Sequence, residues 1–476
     1  MASITSTGVG SGLDVNSIIT QLMAVEARPL TLLQTAASGI NTEISAVGQI
    51  QSLTTTLGDK AQALESLSLW NGVSSSSADT SAVTVDTSAG GAAAGDYSVL
   101  VKNLALGQTV TSSTAIGSSL DQGSLTIQLG AWTGTPVSGF APKAGTSAVT
   151  IAIGAGETSL TAIRDKINAA NAGVQASIIT DANGARLSIR STATGAENGF
   201  KISASETVDD LNAATGLSAL AYDALGTSQL TLNQSAVNAN ATVNGIPIES
   251  ASNTLTNVSD GLNLTLLKAS TGPVTINVTP DTASVKTAVT AFVTAFNALN
   301  NYIHDQTKYD AATKKGGPLQ GDPSIIGFQW QLRGIINQDS TASSVFARLS
   351  DVGISMQADG TLGTDGTKLD AALTNLPEMK KLMAATADTS AGQGFMTRFH
   401  TLIDASLTTD GQLDSRGSGL RTLLQRNTDQ QAQMQTRLDA TRVRISAQYQ
   451  ALDTTMAKMN ALSSYVSQQM YYLSKA

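Results

Sequence analysis

The stretch that decides the fold lies at residues 420–476 and reads LRTLLQRNTDQQAQMQTRLDATRVRISAQYQALDTTMAKMNALSSYVSQQMYYLSKA. One column in it repeats every seven residues with a single polar member: Leu424, Gln431, Leu438, Ile445, Leu452, Met459, Val466 and Leu473. The stretch contains no glycine and no proline. A heptad repeat sustained this long predicts one helix of a left-handed coiled coil, on the order of 80 Å long.

A second heptad column accompanies the first and is mostly polar: Leu420, Asn427, Met434, Thr441, Gln448, Thr455, Leu462 and Gln469. Two such helices paired with each other would bury amides and hydroxyls without partners. The pattern therefore favours one partner helix plus solvent, or an assembly that satisfies the polar groups. The alternative is an intramolecular helical hairpin that binds no partner.

The other end of the chain is also helical by its periodicity. Apolar residues recur at spacings of three and four from Asn16 to Leu67, and Pro29 must start or break a helix, which predicts helices over 15–27 and 30–69. Residues 1–17 are rich in Gly, Ser and Thr, and we expect them to be disordered in the free monomer. The candidate N-terminal partner stripe is Ile40, Ile44, Val47, Leu53 and Leu57.

The middle of the chain changes to period-two patterns between glycine clusters, which predicts short antiparallel strands. One helix interrupts them, capped by Thr158 or Ser159, and the turn at 181–184 predicts a hairpin. A second β stretch covers 240–280 and turns at Asn244-Gly245. Further helices are predicted at 282–304 and 324–337, and strand-and-turn structure at 345–370 with turns at Asp359-Gly360 and Asp365-Gly366.

Composition excludes several classes of function. Charged residues make up 13% of the chain and the net charge is −8, which does not suit a nucleic-acid-binding surface. There is no cysteine, so disulfides, thiolate metal sites and a cysteine nucleophile are excluded. The N-terminus lacks the basic and apolar regions of a Sec signal peptide, and no apolar run is long enough for membrane insertion.

The remaining chemical motifs are weak. Gly154-Ala-Gly156 precedes a helix as a dinucleotide loop would, but Ser159 stands where the third glycine belongs. His304 lies beside Asp305 and Asp310 without a nucleophile motif, and the Asp-Gly pairs lack the ligand pattern of a calcium loop. We therefore predict no catalytic residues, no cofactor and no metal, and interpret the chain as a non-enzyme.

Four stretches, in order along the chain, resemble the filament-capping protein family of the bacterial flagellum (hook-associated protein 2). The first is GSGLDVNSIITQLMAVEARPL at residues 10–30. The second, residues 158–198, is similar to an insertion motif of flagellar hook-associated proteins, with a related copy at 241–261. The third runs from Phe292 to Asp322, and the fourth is the C-terminal heptad helix. Residues 105–157 match no named motif.

The resemblance implies an α+β multidomain fold: a coiled-coil leg of terminal helices, a leg domain of helices and strands, and a mostly antiparallel β head of two subdomains. The expected boundaries are 1–40 for the N-terminal leg end, 41–75 with 282–419 for the leg domain, 76–105 with 236–281 for the inner head, 106–235 for the outer head, and 420–476 for the C-terminal helix. We expect the two ends of the chain to pair.

The resemblance also implies location and partners. Such proteins leave through the type III export channel and form a ring, commonly of five subunits, at the filament tip, where flagellin folds and is incorporated for filament elongation and motility. The implied partners are further copies of the chain, flagellin, the hook–filament junction protein and a cytoplasmic export chaperone that holds the C-terminal helix. No nucleic acid and no membrane insertion are expected.

Two alternatives stay open. The chain could be a junction protein or a flagellin-like subunit of the same architecture, although the stretches at 10–30 and 317–322 favour a cap. It could also be an adhesin whose β head binds host glycans, by itself or as an activity of a tip protein. Trp132 and Phe140 could stack on sugars there, although ordinary packing is the commoner role for such residues.

Overall fold

The computed structural model describes residues 14–88, 90–112, 120–226, 228–312 and 314–474. In chain order, the helices are α1 (Val15–Glu26), α2 (Arg28–Glu65), α3 (Leu67–Trp70), α4 (Leu160–Ala169), α5 (Thr282–Thr307), α6 (Pro323–Ile336), α7 (Gly366–Leu373), α8 (Leu376–Ala384), α9 (Phe395–Leu407) and α10 (Gln412–Leu473). The strands are β1 (Val73–Ser77), β2 (Val83–Asp86), β3 (Gly95–Asn103), β4 (Thr109–Ser112), β5 (Gly123–Thr133), β6 (Gly139–Pro142), β7 (Val149–Ile153), β8 (Val174–Asp181), β9 (Gly184–Ser191), β10 (Gly199–Glu206), β11 (Leu230–Gln234), β12 (Ala239–Val243), β13 (Ile246–Ser250), β14 (Thr254–Ser259), β15 (Leu262–Leu266), β16 (Val274–Pro280), β17 (Tyr309–Asp310), β18 (Lys315–Gly316), β19 (Ile354–Met356) and β20 (Leu362–Thr364).

The chain divides into two compact units. The helical unit combines Met1–Trp70 with Thr282–Ala476, and the β unit is Asn71–Asp281. Every strand pair of the described sheets is antiparallel. The predicted α+β class, with long terminal helices and antiparallel sheets, is confirmed.

The core of the helical unit lies where α2 packs against α5, α9 and α10. Aromatic rings fix its centre, because Phe399 of α9 meets Phe292 and Phe296 of α5 at centroid distances of 5.2 and 6.2 Å. Both contacts are edge-on, the arrangement that aromatic quadrupoles prefer. The predicted helix at 282–304 is confirmed and extends to Thr307.

The break between the two N-terminal helices lies next to Pro29, as the sequence predicted. α1 ends at Glu26, α2 begins at Arg28, and Pro29 lies in its first turn, where its missing N–H costs nothing. The expectation of disorder up to residue 17 is wrong for residues 15–17. Asp14 caps α1 by accepting a hydrogen bond from the Ser17 amide at 3.0 Å, so the helix begins at Val15. Residues 1–13 of that expectation lie outside the described residues.

The last helix is longer than predicted. α10 begins at Gln412 rather than near Leu420 and runs through Gly417 and Gly419. Gly417 is buried, so packing compensates for the poor helix propensity of glycine there. The heptad columns begin at Leu420, so they did not predict this first part of the helix.

The region 345–370 is only partly as predicted. β19 and β20 pair, and the turn at Gly360 has a φ of 81°. Asp365-Gly366 is not a turn between strands, however, because the Asp365 side chain accepts from the Thr367 and Lys368 amides and caps α7. Helices α7, α8 and α9 were not predicted at all, since each is short and lacks a sustained period.

The β unit contains two hydrophobic cores. The first lies between a five-stranded sheet, β1-β16-β3-β12-β13, and a three-stranded sheet, β14-β15-β2. Buried Val99 and Val101 alternate with less buried neighbours on β3, as period-two patterning requires. The predicted β12–β13 hairpin is confirmed: Asn244 and Gly245 both have positive φ, 51° and 81°, which a tight primed turn needs.

The second core lies between the sheet formed by β10, β5, β6 and β7 and the sheet β11-β4-β9-β8, with α4 packed on them. The predicted cap of α4 is confirmed, because Ser159 Oγ accepts from the Ala162 amide at 3.2 Å. The predicted hairpin is confirmed as β8–β9, closed at Asp181 and Gly184. The segment 105–157, which matched no motif, supplies β4 to β7.

The helical core gives a test of how α10 contributes to stability. Leu420 is fully buried in it, whereas Leu462 on the same helix is 62% exposed. Leu420→Ala should lower the free energy of unfolding of the helical unit by about 2–5 kcal/mol. Leu462→Ala should change it by less than about 0.5 kcal/mol. Urea unfolding followed by circular dichroism at 222 nm measures both, and equal effects would contradict this packing.

Candidate functional site

The helices at the two ends of the chain pair in antiparallel fashion. Gln51 of α2 donates its side-chain amide to the Leu413 carbonyl of α10 at 3.1 Å, and Arg416 meets Glu43 at 3.0 Å. Residue numbers therefore increase along α10 as they decrease along the α2 residues that contact it, so the two helices run antiparallel. The buried positions of α10 are Leu413, Gly417, Leu420, Asn427 and Leu438. The last three belong to the two heptad columns, and Leu413 and Gly417 lie seven residues before the first member of each column.

α1 continues this pairing past the N-terminal end of α2. Its two buried residues, Val15 and Ile19, lie on a helix that packs against α10. α10 is therefore covered first by α2 and then by α1. The mostly polar heptad column also takes part in this packing. Asn427 is buried, and its Oδ1 accepts a hydrogen bond from Gln431 at 2.6 Å.

The candidate N-terminal stripe faces the inside of the helical unit. Ile40, Val47 and Leu57 are buried, and Ile44 and Leu53 are half-buried against the same core. The candidate C-terminal stripe is divided: Leu438 is buried, Leu424 and Ile445 are half-buried, and only the part from Leu452 onward is exposed.

The exposed end of α10 carries more apolar residues than the heptad column alone indicates. Leu452, Met459, Val466 and Leu473 are 46, 62, 51 and 74% exposed. Leu462 and Met470 add to them, and at about 100° per residue all six fall within an arc of roughly 80°. We call these six residues the distal stripe. Met470 was missed because it belongs to neither heptad column, and only a helical-wheel projection finds it.

An ion-pair cluster fixes the near end of α10. Arg416 contacts both Glu43 of α2 and Asp322, whose side chain is only 4% exposed. Asp322 also caps α6, accepting from the Ser324 amide at 2.9 Å and the Ile325 amide at 3.3 Å. Gln412 adds a hydrogen bond to the Ser324 carbonyl at 2.6 Å. Three helices thus meet at one guanidinium, which sets the direction in which α10 leaves the core.

The weaker motifs have ordinary structural roles. Glu157 accepts from the Gly154 amide at 2.8 Å and pairs with Lys166, so the glycine loop between β7 and α4 is closed by its own carboxylate. His304 is exposed near the end of α5, where Lys308 pairs with Asp305 at 2.7 Å and lowers the pKa of that carboxyl. Among the described residues, no helix has the length and hydropathy needed to span a membrane.

Trp132 and Phe140 pack on each other at a centroid distance of 4.6 Å, on neighbouring strands. The Trp132 indole N–H donates to Gln108 at 2.8 Å, and Tyr222 contacts the same ring edge-on. Both aromatic residues are only partly exposed, and Trp132 packs against the second core of the β unit.

These features define the class of the protein. It is a multidomain α+β protein whose two ends pair as helices. Within the described residues, its last helix carries an exposed apolar stripe, a feature that marks surfaces for assembly.

Family models match in the same order along the chain. The N-terminus of flagellar hook-associated protein 2 matches residues 11–108, the flagellin hook IN motif matches 139–193, and the C-terminus of flagellar hook-associated protein 2 matches 236–461. The hook IN motif begins earlier than the predicted insertion motif at 158–198 and so includes β6 and β7. Curated relatives include flagellar hook-associated protein 2 of Escherichia coli K12, 34% identical over 98% of both chains, and of Salmonella typhimurium LT2, 31% identical over 100% of both.

A solved structure agrees with these matches. The crystal structure of the flagellar cap protein FliD D1-D2-D3 domains from Escherichia coli aligns with a TM-score of 0.57 and 31% identity, covering 79% of this chain and 99% of that one. The chain belongs to the flagellar hook-associated protein 2 family, the family of flagellar cap proteins. It is a structural flagellar protein and not an enzyme.

The ion-pair cluster can be tested with a matched pair of substitutions. Arg416→Met keeps the side-chain stem but leaves the buried Asp322 carboxylate without its cation, and should lower the free energy of unfolding by about 2–3 kcal/mol. Arg421→Met is the control: Arg421 lies on the exposed side of α10 and donates a hydrogen bond to the Ser418 hydroxyl at 3.3 Å, and its loss should cost less than about 0.5 kcal/mol. Thermal unfolding of the two variants checks this, and an unaffected Arg416 variant would show that the cluster is not stabilising.

Proposed function

We propose that this chain forms a ring at the tip of the flagellar filament, after export through the type III channel, and promotes the folding and incorporation of flagellin needed for filament elongation and motility. The observation that carries the proposal is the distal stripe. The distal stripe is an exposed apolar face of a helix. The relatives of this chain are named flagellar hook-associated protein 2 and flagellar cap protein.

Burial of the distal stripe against a partner is energetically favourable. Residues 452–473 span roughly 30 Å at 1.5 Å per residue, with six large apolar side chains in water. Isolated helices of this length are marginal, and most helical stability in proteins comes from packing one face. A second helix laid along the distal stripe would remove that surface from water. We propose flagellin and the hook–filament junction protein as partners at the tip, and an export chaperone as the cytoplasmic one.

The chemistry of the stripe favours a reversible contact. The segment 452–473 contains one acidic and one basic residue, Asp453 and Lys458. Its neighbours are hydroxyl and amide side chains such as Thr455 and Gln469. A cap that advances as flagellin subunits are added must release its contacts with the filament and bind again. A narrow apolar contact with polar edges gives a modest affinity that depends little on salt. The family matches favour this role over that of a flagellin or junction subunit.

The proposed stripe can be tested by one added charge. Leu452→Asp introduces a carboxylate at the start of the distal stripe, at a residue that is 46% exposed, and should abolish capping while the protein still folds. The expected phenotype is exported, unpolymerised flagellin in the medium and non-motile cells.

The matched control is Val443→Asp. Val443 is 71% exposed and lies nine residues away, which is the opposite side of the same helix. Cells with this variant should assemble normal filaments. Normal filaments in the Leu452 variant as well would rule out the distal stripe as the capping surface. Leu438→Asp, which the sequence also suggested as a capping test, is less selective, because Leu438 is only 6% exposed and its loss would unfold the helix pair.

A further inference from the structure

Two methionines belong to the distal stripe, and they are the most exposed methionines that the structure describes. Met459 is 62% exposed and Met470 is 67% exposed. The other described methionines are buried or half-buried. Three of them lie fully buried in the core of the helical unit: Met379, Met383 and Met396.

The positions of the two stripe methionines place both sulfurs on one side of α10. They lie eleven residues apart in the sequence, which is about three helical turns and roughly 17 Å along the helix. Each has an aliphatic stripe neighbour one turn away, Leu462 after Met459 and Val466 before Met470. A partner that covers the distal stripe therefore has to bury both thioethers.

The thioether is the group that the distal stripe offers to an oxidant. The chain contains no cysteine, so no thiolate of its own competes for a peroxide. In the reaction, a lone pair of the methionine Sδ attacks one oxygen of hydrogen peroxide. The O–O bond breaks as the S–O bond forms, the sulfur gives two electrons to the peroxide, and the second oxygen leaves as water. Methionine sulfoxide reductases restore the thioether, so the change is reversible.

Oxidation converts a flexible apolar side chain into a polar one. On the free helix the sulfoxide oxygen accepts hydrogen bonds from water, whereas an apolar partner surface supplies no donor. Covering the oxidised stripe would bury this oxygen without a hydrogen bond, which is unfavourable. Two of the six stripe residues would carry such an oxygen, so the affinity of the whole face should fall.

We propose that Met459 and Met470 are sites of reversible oxidation by peroxides, and that their sulfoxides release the distal stripe from its partner. The inference rests on the proposed function, because it regulates the contact that the distal stripe makes at the filament tip. The modification itself belongs to the free chain, so it can be measured without any partner.

The first test locates the oxidation. Folded full-length protein is exposed to hydrogen peroxide, and its peptides are followed by mass spectrometry for the gain of one oxygen atom. Met459 and Met470 should oxidise at least about tenfold faster than Met379, Met383 and Met396, because peroxide reaches the buried thioethers only when the core opens. In urea-unfolded protein all five should oxidise at similar rates.

The second test measures the consequence for capping. Oxidised full-length protein is freed of peroxide with catalase and supplied to cells that export flagellin but lack this chain. The ratio of filament-bound flagellin to flagellin in the medium should fall at least about tenfold relative to untreated protein. Treatment of the oxidised protein with methionine sulfoxide reductases A and B should restore it. The melting temperature of the helical unit should not change, because neither stripe methionine lies in its core.

Two variants assign the effect to the distal stripe. Met459→Leu combined with Met470→Leu removes both sulfurs with little change in side-chain volume. Peroxide should not lower the capping of this double variant relative to its own untreated sample. Met434→Leu is the matched control on the same helix, because Met434 is half-buried and lies outside the distal stripe. This variant should stay as sensitive to peroxide as the wild-type chain.

The possible failures separate this inference from the proposed function. Equal oxidation rates at the stripe and core methionines would overturn the inference and leave the proposed function standing. The same holds if the oxidised wild-type protein caps normally while Leu452→Asp abolishes capping, or if peroxide inactivates the double variant as strongly as the wild type. Normal capping by both the oxidised protein and the Leu452→Asp variant would contradict the inference and the proposed function together.

Discussion

The antiparallel pairing of α2 with α10 is the interaction on which the rest of the structure depends. It joins residues more than 350 positions apart in sequence, as the hydrogen bond from Gln51 to Leu413 shows, and so it closes the helical unit around its core. The β unit is inserted between the two halves of that unit and has its own cores. The chain can therefore vary its β unit without altering the helical core.

The proposed function depends on where this pairing stops. α2 covers the first part of α10, α1 covers the next part through Val15 and Ile19, and the described residues leave α10 uncovered from Leu452 onward. Because one end of α10 is buried in the helical unit, the protein can hold the helix rigidly. The other end still exposes an apolar face to a partner. The Arg416 cluster contributes the rigid part, since it ties α10 to α2 and α6 within one turn of the helix start.

Much of this architecture could be predicted from the sequence, because long elements with regular periods leave a clear signal. The heptads identified α10, Pro29 located the break before α2, and Asn244-Gly245 and residues 181–184 located two hairpins. Short elements were missed: α7 to α9 each span fewer than four turns, and tertiary packing rather than periodicity specifies them. The start of α10 was not predicted, because glycine disfavours a helix unless packing compensates. The burial of Gly417 provides that packing and is a property of the folded unit.

The candidate site was harder to predict than the fold, since a heptad column does not reveal which of its members are already covered. Leu438 and Leu452 occupy equivalent positions in the sequence pattern, yet one is 6% and the other 46% exposed. The difference depends on where α1 begins, at Val15, which is a property of the folded unit.

The central claim is that the far end of α10 is free in the monomer and covered in the assembly. Hydrogen exchange measured by mass spectrometry on the full-length chain, alone and at the filament tip, tests it most directly. Amides at 413–438 should be protected in both states, because α2 and α1 cover them. Amides at 452–473 should exchange rapidly in the free protein and slowly at the tip. Equal exchange of 452–473 in the two states would contradict the account.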